Sequence, residues 1–234
     1  MFRGFVLIMW MQVALFSATH SVCESERIEI SRAKEIVESI LKEEPTNAIC
    51  MLQLANIYLK QGEIAKGFDT LVNAYLLDPH HVQNSKIASV LPFALKVTNL
   101  KLQAQKTNDK AIWNDLGDGY FEMGIFNEAA LMYKQSLFAD PTQHMIRLKR
   151  ALALQKESHV YTALEEVQTV LNQEPSHVFA NYYMAKFLAY DVKNRVEARV
   201  FFERARSALI AQKDAFAYLE YTNLLSDITK ELGE

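Results

Sequence analysis

The 234-residue chain is poor in the residues that punctuate or cross-link a fold, with only two cysteines, five prolines and seven glycines. Two cysteines, Cys23 and Cys50, do not make a disulfide framework, so the core itself must hold the protein together. So few glycines and prolines over this length argue against many tight turns and for long helices. There is no excess of basic charge; the formal net charge is −3, which removes the general positive field a nucleic-acid binder needs. Local basic clusters such as "RLKR" at 147–150 read as a solvated helix face. No phosphate loop, Cys-x-x-Cys pair, His-Glu-x-x-His or Gly-x-Ser-x-Gly is present. Acidic and basic residues alternate as on exposed helix faces rather than as paired catalytic carboxylates. The pair His80–His81 lacks further ligands nearby and reads as exposed imidazoles at a helix start. The chain is therefore read as non-enzymatic, with no cofactor and no metal site.

What is present begins with the first twenty-three residues. Arg3, an apolar run from Phe5 to Phe16 and a small-and-polar tail have the layout of a secretory signal peptide. The run is shorter than the roughly 18 apolar residues that span a bilayer. Cleavage is placed after Ser21 or after Cys23. The first alternative is an uncleaved signal-anchor that tethers the protein to a membrane through residues 5–16. A lipoprotein reading of Cys23 suffers from Val22 before it, and a buried N-terminal helix is the remaining alternative. The protein is expected to be exported, to a periplasm, a secretory-pathway lumen or the outside.

Half of the residues are hydrophobic, and they recur with a long period. Pro45 and Pro79 lie 34 residues apart, as do Pro141 and Pro175, and each follows an acidic residue. A period of this length means stacked units, each one supersecondary hairpin. From Lys110, the residues Trp113, Leu116 and Tyr120 share one face of a first helix. Gly117 lets a second helix approach, and Gly124 closes the first helix in a left-handed conformation. Asn127 is expected to cap the second helix, whose inner face is Ala129, Tyr133 and Ser136; Pro141 is expected to start the next helix.

This pattern of Trp113, Leu116, Gly117, Tyr120, Ala129, Tyr133 and Pro141 resembles the tetratricopeptide repeat, with Ser136 where the family carries a small Ala. The segment 48–81 matches more loosely, through Met51, Leu54, Ala55, Tyr58, Gly62, Gly67, Leu71, Ala74 and Pro79. The segment 144–177 keeps Ala151, Leu154, Ala163, Val167, Val170 and Pro175. It departs at Arg147 and Arg150, which implies a rotated helix or an open face. The segment 178–212 continues with Met184, Ala185, Leu188, Ala198, Phe202 and Ala205, its turn lengthened by one residue at "DVKNR". Residues 24–47 form a half-repeat with Ala33, Val37 and Ile40 inside. Residues 82–109 are divergent and read as two short helices broken near Leu91–Pro92. Residues 213–234 hold a capping helix with Phe216, Leu219, Tyr221, Leu224 and Ile228 inward.

The resemblance implies an all-α right-handed superhelix of stacked antiparallel helix pairs that binds a protein or peptide segment in a concave groove. In the family the first helices line that groove. The corresponding positions here are Asn56 and Lys60; Asn114, Asp118, Phe121 and Glu122; Leu148, Leu152 and Lys156; and Phe179, Tyr182, Lys186 and Tyr190. The basic and amide set with which some members hold a terminal carboxylate is not reproduced: Leu52, Asn114 and Asp118 occupy several of its places. A scaffold or adaptor is the expected role. The alternatives are a membrane-anchored assembly factor for an envelope or secretory complex and a self-associating structural protein.

Overall fold

The computed structural model describes residues 23–233. The expected signal or anchor, with its apolar run 5–16, lies outside the described residues, Cys23 excepted. Among the described residues every regular element is helical, as the period demanded. The chain divides into two compact units between Asn108 and Asp109. Among the described residues no helix is long and apolar enough to cross a membrane.

The first unit contains α1 (Cys23–Glu43), α2 (Ala48–Lys60), α3 (Ile64–Leu77), the short α4 (Pro79–Gln83), a 3-10 turn (Ala88–Val90) and α5 (Leu91–Thr107). The second contains α6 (Lys110–Glu122), α7 (Phe126–Ala139), α8 (His144–Lys156), α9 (Val160–Gln173), α10 (Val178–Lys186), a π-helical extension (Phe187–Asp191), α11 (Arg195–Ala211), a 3-10 turn (Lys213–Ala215) and α12 (Tyr218–Leu232).

The helices pair because their connections leave no alternative. Each of α2–α3, α6–α7 and α8–α9 is joined by three residues, a length that turns the chain straight back on itself. The middle residue of each link is left-handed: Gly62 at φ 77°, Gly124 at 74° and Ser158 at 64°. The amide after it closes the same wide turn, from Glu63 to the Tyr58 carbonyl, Ile125 to Tyr120 and His159 to Leu154, each 2.9 Å. A glycine adopts this φ freely, whereas Ser158 holds it at a cost of about 1 kcal/mol.

Close approach within the pair α6–α7 rests on Gly117. A Cβ built there would lie 2.4 Å from the Tyr133 ring, so only a missing side chain admits that ring. Trp113, Leu116, Tyr120, Ala129 and Tyr133 are all buried around it. Ser136, fully buried, donates its hydroxyl to the Lys110 carbonyl at 3.3 Å and so escapes the penalty of an unpaired polar group.

Several expectations need correction. Asn127 does not cap α7: Ile125 stands at that position without a side-chain bond, and Asn127 instead donates to Glu157, in the link between α8 and α9, at 3.0 Å. Pro141 lies in a turn, and α8 begins only at His144. Pro92 breaks nothing; it sits in the first turn of the seventeen-residue α5, where a missing N–H is harmless. Helix α8 buries Ile146 and Leu148 beside Ala151 and Ala153, and its two arginines are half-buried and paired rather than open to solvent. Arg147 (3.0 Å) and Arg150 both donate to Glu166 of α9, and the three side chains are only 12–17% exposed. The extra residue of the segment 178–212 is absorbed by the π turn, where the Val192 amide reaches the Phe187 carbonyl at 3.0 Å, and not by the link. In α1 the buried face is Val37 with Ile30 and Leu41, packed on Cys50, Leu54 and Ile57, while Ala33 and Ile40 are exposed. The inward face of α12 is Leu224, Ile228 and Leu232, with Phe216 and Tyr221 half-buried. Leu219, in the first turn of the helix that starts at Tyr218, is 69% exposed.

A candidate interaction surface on the first helices

In the second unit the first helices of successive pairs stand side by side, tied edge to edge by polar bridges. Asp118 on α6 accepts two hydrogen bonds of 2.8 Å from Lys149 on α8, and one of 2.7 Å from the Tyr133 hydroxyl. Burial, then the bond to Asp118, pushes the Tyr133 phenol above its ordinary range. Asn114 donates to Gln143 just ahead of α8 at 2.9 Å. Gln155 near the end of α8 donates to Asp191 at the end of the π turn at 3.1 Å.

The row ends on α12. The Tyr182 hydroxyl donates to Asp227, Lys186 reaches Glu231 at 3.3 Å and Asp227 at 3.6 Å, and Tyr190 donates to both Glu231 oxygens at 2.5 and 2.6 Å. Partners rise together along both segments, 182 with 227 and 190 with 231. Helix α12 therefore runs parallel to α10 and continues the row as its last member. Lys186 also stands over the Tyr182 and Tyr190 rings, 5.5 and 5.2 Å from their centroids. Burial and the charge and hydrogen bond of Asp227 raise the Tyr182 phenol; the Glu231 hydrogen bond raises Tyr190.

Each residue expected to line a groove now has a place. Tyr182, Lys186 and Tyr190 are joined to α12, and Asn114 and Asp118 bridge to the next helix pair. Leu148 is 1% exposed, a core residue with nothing to offer a partner in this state. Phe179 packs between Tyr183 and Phe216, with centroids 6.3 and 5.8 Å away. Phe121 is half-buried with its ring edge-on to Phe126 at 5.1 Å, and Leu152 is half-buried against the core. Glu122 and Lys156 are exposed. In the first unit Asn56 is half-buried and Lys60 exposed, both on α2.

Sequence reasoning missed Lys149, Gln155, Asp191, Asp227 and Glu231, which tie the row together. The one available signal was the spacing of Asp227 and Glu231, which puts two carboxylates on one face of α12. It missed a second assembly too. His144 at the start of α8, Glu174 at the end of α9 and His177 at the cap of α10 converge, with one ligating atom of each within 4.8 Å of the others. Burial holds the His177 imidazole below its ordinary pKa.

No family profile matches the chain, and no curated protein matches it. Solved structures to which the chain is similar include a crystal structure of MamA, 15% identical, covering 82% of this chain and 95% of that one at a TM-score of 0.43. The complex of the yeast Sti1 TPR2AB domain with pHSP90 is 18% identical, covering 88% of this chain and 81% of that one at 0.45. YrrB, described as a TPR protein with an unusual peptide-binding site, is 17% identical, covering 81% and 86% at 0.40.

Proposed function

We propose that this protein is a non-enzymatic interaction scaffold that takes up a protein or peptide segment along its row of first helices. The observation that carries this reading is the edge-to-edge bridging of α6, α8, α10 and α12. It makes one continuous face out of helices from separate pairs and leaves Phe121, Glu122, Leu152 and Lys156 on α6 and α8 outside those bridges. Two apolar side chains flanked by one acidic and one basic group suit a segment that buries an apolar stripe and fixes its register by charge. Asn56 and Lys60 serve the same purpose on α2 of the first unit. Export directed by residues 1–23 belongs to the same proposal, supported by the sequence layout of that segment.

A photo-crosslinking residue placed at 121 or 156 tests it against one placed at 138, where Phe138 is 83% exposed on the second helix α7. Adducts to a discrete partner are expected from the first two sites and not from the third. Equal labelling at 138, or none at 121 and 156, overturns the reading. The intact mass of the same purified chain is expected to begin at Val22 or Glu24; a chain beginning at Met1 or Phe2 overturns cleavage. Self-association is the second reading, favoured by Leu131 and Phe138, which are exposed two turns apart on α7. Light scattering that shows a concentration-dependent mass supports that one instead.

A further inference from the structure

We infer that His144, Glu174 and His177 form a binding site for a divalent transition-metal ion of the zinc class. None of them belongs to the surface proposed for partner capture. Two imidazoles and a carboxylate are a ligand set zinc takes, completed to four by water.

The geometry starts from His144. One of its ring nitrogens, Nε2, lies 2.9 Å from the Gln173 side-chain oxygen, and the other, Nδ1, lies 3.4 Å from a Glu174 carboxylate oxygen. An amide oxygen only accepts, so Nε2 carries the hydrogen and the Nδ1 lone pair faces the carboxylate. Two electron-pair donors facing each other in this way are placed to share a metal ion. The separation suits the metal: ligands bound at about 2.1 Å in a tetrahedron stand roughly 3.4 Å apart. Gln173 supplies the outer hydrogen bond that fixes a ligating histidine's tautomer. The third ligand is within 4.8 Å and has only a small distance to close.

His177 contributes at a stated cost. Its Nδ1 accepts the Ala180 amide at 3.2 Å and so caps α10. Ligation through Nε2 moves the ring hydrogen to Nδ1 and ends that cap. A bound ion therefore joins the start of α8, the end of α9 and the start of α10 while releasing the Ala180 amide. The three ligands sit where consecutive helix pairs meet. His144 and His177 are 33 residues apart, one short of the repeat, which is why two turns bring them together.

The test uses the full chain and zinc chloride alone, followed by calorimetry, with Co2+ as an optical substitute. One ion per chain is expected, with the visible absorption of a four- or five-coordinate cobalt site. The variants are H144Q, E174Q and H177N, the last chosen because asparagine keeps the helix cap. Each is expected to weaken zinc binding at least tenfold while its metal-free melting curve stays cooperative. The double variant H80Q/H81Q, at the exposed histidine pair, is expected to bind as the parent does. Amide exchange at Ala180 is expected to speed up in the zinc form. Zinc binding unchanged by H144Q, E174Q and H177N, or lost in H80Q/H81Q, overturns the proposal in favour of adventitious surface histidines. No saturable binding at all overturns it outright.

Discussion

Replacing Gly117 by alanine sets two well-known effects against each other, and the structure decides between them. In an exposed helix the change gains about 1 kcal/mol from backbone propensity. Here the new Cβ would lie 2.4 and 2.5 Å from two carbons of the Tyr133 ring, so ring or helix must give by about 1 Å to reach ordinary contact. Neither gives cheaply. Tyr133 is 1% exposed, and its hydroxyl is fixed at 2.7 Å on Asp118, which is itself held by Lys149. Overpacking costs about 1–3 kcal/mol, and a strained hydrogen bond to a carboxylate adds up to about 1.5–3. The expected net loss is about 2–4 kcal/mol. Urea unfolding followed by Trp113 fluorescence measures it in the second unit, in a Trp10→Phe background that leaves Trp113 as the one indole. Repeating the substitution in Tyr133→Leu, where the ring is gone, should reduce its cost below about 1 kcal/mol. A midpoint that G117A leaves unchanged or raises, or an equal cost in both backgrounds, refutes the claim that this contact sets how closely α6 and α7 approach.

The half-buried trio on α8 and α9 gives a second expectation. Glu166→Ala removes the carboxylate from Arg150 and leaves Arg147 only the Pro141 carbonyl at 3.2 Å; the two are 17% and 16% exposed, and the loss should approach but not exceed the about 3–5 kcal/mol of a broken buried pair. Exchanging all three for apolar residues, Trp and Leu on α8 as at 113 and 116 and Leu at 166, should be neutral or stabilising; a loss as large as that of the single variant counts against the reasoning. A third concerns acid stability. Lys110, Thr142 and the Thr142 amide hold the Asp140 carboxyl down to about 2. A depressed folded pKa gives stability that is present above the unfolded value and lost as pH falls through the folded one. Melting temperatures of the parent and Asp140→Asn should therefore differ by a constant amount above about pH 4 and converge toward pH 2. A difference that persists unchanged at pH 2 excludes that pair as its source.

The sequence by itself determined that the chain is helical, where its glycine-marked hairpins reverse and which faces of α6 and α7 turn inward, because those properties are local. Trp113, Leu116 and Tyr120 share a face by helical geometry alone. Gly117 and Gly124 announce a close approach and a left-handed turn whatever lies around them. Ser158 shows the limit even there, since nothing in its residue type marks a left-handed position. Only the tertiary structure decided how the polar groups are spent. Arg147 and Arg150 looked like a fault in the pattern until Glu166, 19 and 16 residues on, was brought against them. Tyr182, Lys186 and Tyr190 match the family's groove positions, yet their bonds go to carboxylates 41 and 45 residues away. Leu148 satisfied the same register and is buried. A period reports which way a side chain points from its own helix. It carries no information on what stands opposite, and for charged and hydrogen-bonding groups the partner decides whether they hold the fold or remain for something else to bind.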